Sequence, residues 1–111
     1  MREDYEPFNS AEEVWFWFCA SLEARGDGLR SRSDYCGKLR ACEISDIYRI
    51  IKQMRQYHYL SQRHLRVMTK WGERQIAPWY EPRAKRSEIR LWEEAMHCFE
   101  AFLINKKILQ K

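Results

Sequence analysis

Residues 44–72 read ISDIYRIIKQMRQYHYLSQRHLRVMTKWG, and the recurrence of their apolar positions decides the fold. Ile44, Ile47, Tyr48, Ile51 and Met54 fall at i, i+3, i+4, i+7 and i+10, the period of a helix with one buried face. Arg49, Lys52, Arg55 and Gln56 occupy the other side. Tyr57-His58-Tyr59-Leu60 breaks the period without Gly or Pro. Ser61 then offers a hydroxyl that can accept from an orphaned backbone N–H, the requirement of an N-cap. The spacing predicts a short helix over about 62–71, with Leu65, Met68 and Trp71 facing inward and Gly72 as its left-handed cap.

The same logic extends to both ends of the chain. Ser10-Ala11-Glu12-Glu13 is a capping box, which predicts a first helix over 11–25 that Gly26 ends. Val14, Trp15, Phe18 and Leu22 form its apolar face, and Phe16, Trp17 and Cys19 widen that face past a single stripe. Near the C-terminus, Ile89, Trp92, Met96, Phe99 and Leu103 mark a helix over 87–105. Two connections lack either period: the basic, Gly- and Ser-rich residues 26–42, and residues 73–86, where Pro78 and Pro82 bracket Trp79-Tyr80. The expected fold is all-α: one domain over 1–111, a compact bundle of about four helices. A helix-turn-helix-like pair (43–72) sits in the middle, between two long irregular connections.

Composition agrees with this reading. Five Trp, six Tyr and five Phe in 111 residues supply a core that a disordered chain lacks, and four Gly with three Pro leave little turn chemistry for an all-β fold. The longest apolar run, residues 14–20, is seven residues against the ~20 of a membrane-spanning helix. The acidic lead-in Arg2-Glu3-Asp4-Tyr5-Glu6 is unlike a secretion signal, so a cytoplasmic protein without membrane contact is expected. Cys19, Cys36, Cys42 and Cys98 show no Cys-x-x-Cys spacing. Cys19 and Cys98 read as small core residues. Cys36 and Cys42 bracket a loop and are placed to meet each other or His58, yet no metal or cofactor is expected.

The net charge of +4 is unevenly spread, with balances of −4 over residues 1–25, +6 over 26–75 and +2 over 76–111. A positive middle is the electrostatic footprint of a protein that meets phosphate. Within it, Arg63, Arg66 and Lys70 fall at i, i+3 and i+7, with Gln62 at the start and His64 on the flank. Arg can pair with guanine and Gln with adenine, and a short helix carrying them in its first turns fits the major groove. Arg49, Lys52, Arg55, Arg74, Arg83, Lys85 and Arg86 are then candidate phosphate contacts, which position without specifying. The plainer reading is that Lys and Arg merely solvate the outer face of a bundle helix.

The aromatic excess points elsewhere. No single helix face buries Trp15, Phe16, Trp17 and Phe18 together, so Trp15, Phe16 and Trp17, with Trp79 and Tyr80, are candidate partner or homodimer contacts unless the last helix or the long loop covers them. Catalysis finds little support. His58, His64, His97, Asp27, Asp34, Asp46 and Glu100 sit in no spacing that fixes a chemistry. The Glu94/His97 pair occurs once where a di-iron bundle needs it twice with further Glu.

Asp46-Ile47-Tyr48-Arg49, then Leu60-Ser61-Gln62-Arg63-His64-Leu65-Arg66-Val67, then Trp71-Gly72-Glu73-Arg74 and Pro78, resembles a pattern of small bacterial helical proteins. In outline it is also similar to bacterial helix-turn-helix regulators, including sigma-factor-like ones, although the first helix has no small residue at the usual place and the turn has no Gly. The resemblance implies DNA binding and a role in transcription regulation. The expected protein is thus a non-enzymatic reader of duplex DNA without cofactor or small-molecule substrate. The alternative is a non-catalytic interaction or dimerisation module.

Overall fold

The computed structural model describes residues 5–6, 8–26, 39–40 and 44–109. Among the described residues four helices carry the fold: α1 (Ala11–Gly26), α2 (Ile44–Gln56), α3 (Gln62–Arg74) and α4 (Arg86–Asn105). A 3-10 turn over Pro78–Tyr80 interrupts the connection between α3 and α4. Two-residue strands, β1 (Tyr5–Glu6) and β2 (Leu39–Arg40), pair in parallel, so residues 26–42 are not wholly irregular as expected. Cys36 and Cys42 and the rest of that connection lie outside the described residues.

α1 is central because its aromatic residues point in several directions and each meets a cover. Val14, Trp15 and Phe18 are buried against α3 and α4. Phe16 stacks on Trp92 of α4 with centroids 5.7 Å apart, and Trp17 tilts against Phe8, 5.4 Å away. The four consecutive aromatics are therefore shared between the last helix and the segment before α1. Leu22, expected on the inner face, is 43% exposed, while its neighbour Ser21 is buried at 5%.

On α2 the buried arc is Ile47, Ile50 and Met54, flanked by half-buried Ile44 and Ile51. Tyr48, expected inside, sits on the rim of that arc and is 61% exposed. On α4 most of the expected stripe is found, with Trp92, Met96, Phe99 and Leu103 buried, Ala95 completing it and Ile89 only half-buried at its start. α3 buries Val67, Met68 and Trp71 and packs on α4 and α1. Fully burying a side chain of this size contributes roughly 1.5–3 kcal/mol, so Met68, Trp71, Trp92 and Phe99, all buried, each contribute substantially to stability.

Gly72 does not cap α3. The helix continues one turn to Arg74, and Gly72 is buried where α3 crosses α1: a Cβ there would lie 2.5 Å from Cys19 Sγ and 2.7 Å from Trp15 Nε1. Only hydrogen fits that gap. The cap is Gln75, left-handed at φ 58°, with Gln75 N–H donating to Gly72 O and Ile76 N–H to Trp71 O, the two bonds of a Schellman motif. The motif recurs at His58 (φ 65°), where Tyr59 N–H reaches Met54 O, and at Lys107 (φ 64°), where Ile108 N–H reaches Leu103 O. Three helices thus end on left-handed residues that are not glycine, and none was signalled by composition.

Candidate nucleic-acid interface

α3 starts as its sequence predicts. Ser61 Oγ accepts from His64 N–H at 3.3 Å, and His64 Nδ1 accepts from Ser61 N–H at 3.1 Å, which closes a capping box with His in the place usually held by Glu. An accepting Nδ1 leaves the ring proton on Nε2, which donates to Glu94 Oε1 at 2.9 Å. His64 is therefore a joint between α3 and α4 and does not face outward with the arginines.

The outward face of α3 carries Gln62, Arg63, Arg66, Thr69, Lys70, Glu73 and Arg74, all exposed, so one carboxylate stands among four cations. Between this face and the last turn of α2 runs a groove of about 470 Å³, lined by Arg55, Gln62, Leu65, Arg66, Thr69 and Lys70. Arg55 is thereby joined to the α3 cluster by tertiary structure. Arg55, Arg63 and Arg66 have no carboxylate partner among the described residues.

Lys70 is held differently. Its Nζ donates to Glu88 Oε2 at 2.7 Å and stands 5.1 Å from the Trp71 ring centroid, which Arg74 also approaches at 5.1 Å. The hydrogen bond from Lys70 holds the Glu88 carboxyl below its ordinary range, with help from Lys85, whose backbone N–H donates to Glu88 Oε1. Arg83, Lys85 and Arg86 are exposed at the start of α4, and Lys70–Glu88 ties that end to α3.

Arg49 and Lys52 lie apart from this face, on the other flank of α2, where they line a separate cavity with Lys106. The expected phosphate contacts are therefore divided between two surfaces. The helix pair also differs from a helix-turn-helix unit in its packing: α2 and α3 rest chiefly on α1 and α4, with the five residues 57–61 between them.

The candidate partner residues separate just as clearly. Trp15 is 4% exposed and its indole donates to Met68 O at 2.8 Å, which removes it from any surface, while Phe16 and Trp17 are half-buried. Trp79 and Tyr80 remain outside, 47% and 64% exposed, stacked with centroids 3.9 Å apart. Trp79 Nε1 and Trp92 Nε1 both donate to Glu12 Oε2, at 3.1 and 2.7 Å. Sequence reading assigned Glu12 only to the first turn of a helix, because nothing local marks an acceptor for indoles near the far end of the chain.

Burial pushes the Cys19 thiol up to about 12, with Glu73 and Glu23 adding to the effect, so it is protonated and inert at neutral pH. Among the described residues no group of three His, Cys, Asp or Glu is placed to hold a metal ion, and no helix is long and apolar enough to cross a membrane. Comparison of the chain with protein-family models, curated proteins and solved structures finds no match.

Proposed function

We propose that the protein binds duplex DNA with the outward face of α3 and acts as a small transcription-regulator-like protein in the cytoplasm of a bacterium. The observation that carries this reading is the gathering of Arg55, Arg66 and Gln62 around one open groove, with Arg63 exposed on the same helix, none of the three arginines having a carboxylate partner among the described residues. Uncompensated arginines on one face favour an anionic partner, and the side-chain amide of Gln62 adds a group able to read a base edge. Arg63 and Arg66 are the principal phosphate or base contacts. Arg83, Lys85 and Arg86 extend the positive surface, and Lys70 contributes less because Glu88 already holds it.

Titration of duplex DNA against salt tests this. Each phosphate contact contributes a slope of about −0.9 in log K against log salt, so Arg63→Ala with Arg66→Ala should flatten the slope by nearly two contacts. Glu88→Gln should steepen it by about one, as Lys70 is released. Binding that ignores both changes rejects the proposal.

A second reading rests on Trp79 and Tyr80. Two stacked, exposed aromatics flanked by prolines suit the centre of a homodimer or partner interface. Sedimentation of the chain and of its Tyr80→Ala variant separates the two: a dimer that dissociates on that change, with no DNA binding by either form, favours the interaction module.

A further inference from the structure

The cavity on the far flank of α2 has the makings of a second, independent anion site. It measures about 420 Å³, within the range of small-molecule pockets. Arg49 and Lys52 reach it from α2, at i and i+3, and Lys106 reaches it from the residue that follows α4. Three cations from two distant elements thus surround one concavity. Like charges drawn together repel, and among the described residues Asp46 is the single carboxylate in the lining, 3.7 Å from Arg49. The described lining residues keep a surplus of two positive charges.

Its remaining walls are chemically varied. Gln53 and Gln56, at i+4 and i+7 from Arg49, add side-chain amides that both donate and accept. Ile50 and Ile108 form an apolar floor, and both are buried. Ile108 is brought there by the left-handed Lys107, which turns the chain after α4 back onto the core. The pocket is therefore part of the folded framework.

We propose that this cavity binds a small phosphomonoester with a flat, partly apolar body, the class to which nucleoside monophosphates belong. Lys52, Lys106 and Arg49 hold the phosphate, the glutamine amides meet polar edges, and the isoleucines carry the ring. The DNA reading uses the opposite flank of α2, so the two proposals stand or fall separately.

The test uses the full chain and adenosine 5′-monophosphate as probe, with adenosine and inorganic phosphate as controls, followed by calorimetry or by chemical-shift changes. The nucleotide should bind more tightly than either control. Lys52→Ala with Lys106→Ala, two exposed positions whose change leaves the core intact, should weaken it at least tenfold, while Arg63→Ala with Arg66→Ala leaves it unaltered. Absence of nucleotide binding, binding equal to that of adenosine, or binding indifferent to the lysine pair overturns the proposal. So does a lysine-pair variant that loses duplex DNA binding while the nucleotide never binds, since the cavity is then a strip of the DNA surface.

Discussion

The Glu12 carboxylate accepts a hydrogen bond from the Trp92 indole at 2.7 Å, across eighty residues of sequence. Trp92 is fully buried, and the same oxygen also accepts from Trp79. One side chain in the first turn of α1 thus satisfies the core of α4 and anchors the aromatic turn before it.

Glu12→Ala should therefore leave a buried indole N–H without an acceptor, a loss of about 1–3 kcal/mol. Glu12→Gln keeps an acceptor oxygen and should cost less than half as much. Urea denaturation followed by tryptophan fluorescence measures both. An alanine variant as stable as the parent would show that the indole is satisfied some other way.

Gly72→Ala should destabilise despite the helix propensity gained, because the new methyl group meets Cys19 Sγ and Trp15 Nε1 inside contact distance. Overpacking of this kind costs about 1–3 kcal/mol. Cys19→Ala removes the closer of the two obstacles, so the double variant should recover part of the loss. A thermodynamic cycle of the two changes with no coupling is the result that speaks against this crossing.

His58→Gly should stabilise by up to about 1 kcal/mol, since the left-handed conformation strains a residue with a Cβ and not glycine. Gln75→Gly should gain less or lose. Gln75 Nε2 donates to Gly72 O at 2.8 Å and to Phe16 O at 2.9 Å, and glycine abandons both bonds. The contrast between the two variants in denaturant midpoint is the readout.

Glu88 gives the protein an acid-sensitive contact. Its carboxyl is held below the ordinary glutamate range by Lys70 and Lys85, so the unfolded chain binds this proton more readily than the folded one. The stabilisation is present above the unfolded-state value of about 4.3 and is lost as pH falls through the lower folded-state value. Glu88→Gln should flatten the acid limb of a stability–pH curve and leave the difference between variants constant above pH 6. A difference between the variants that stays constant through the acid limb would contradict the pairing.

Much of the bundle was legible because four segments carry helical periodicity and two of them open with Ser as an N-cap. The stripe of α4 and the start of α3 at Ser61 came through directly. Tyr48 and Leu22 did not. A period of 3.6 marks an apolar arc but not its edges, and those depend on where the neighbouring helix crosses. The basic stripe was legible as a pattern on α3. Its division into unpaired arginines, a lysine held by Glu88 and a second cationic pocket with Lys106 was not, since each depends on contacts between elements far apart in sequence.

The sequence by itself determined that the fold is helical, where α1, α2, α3 and α4 lie, and that positive charge is concentrated in the middle of the chain, because period, capping and charge are local quantities. Tertiary structure alone decided what covers Phe16 and Trp17, why Gly72 must be glycine, where Glu12 acts and which cations stay open to a partner. Those outcomes depend on which surfaces meet, and a buried donor, a close crossing or an ion pair exists only once they have met.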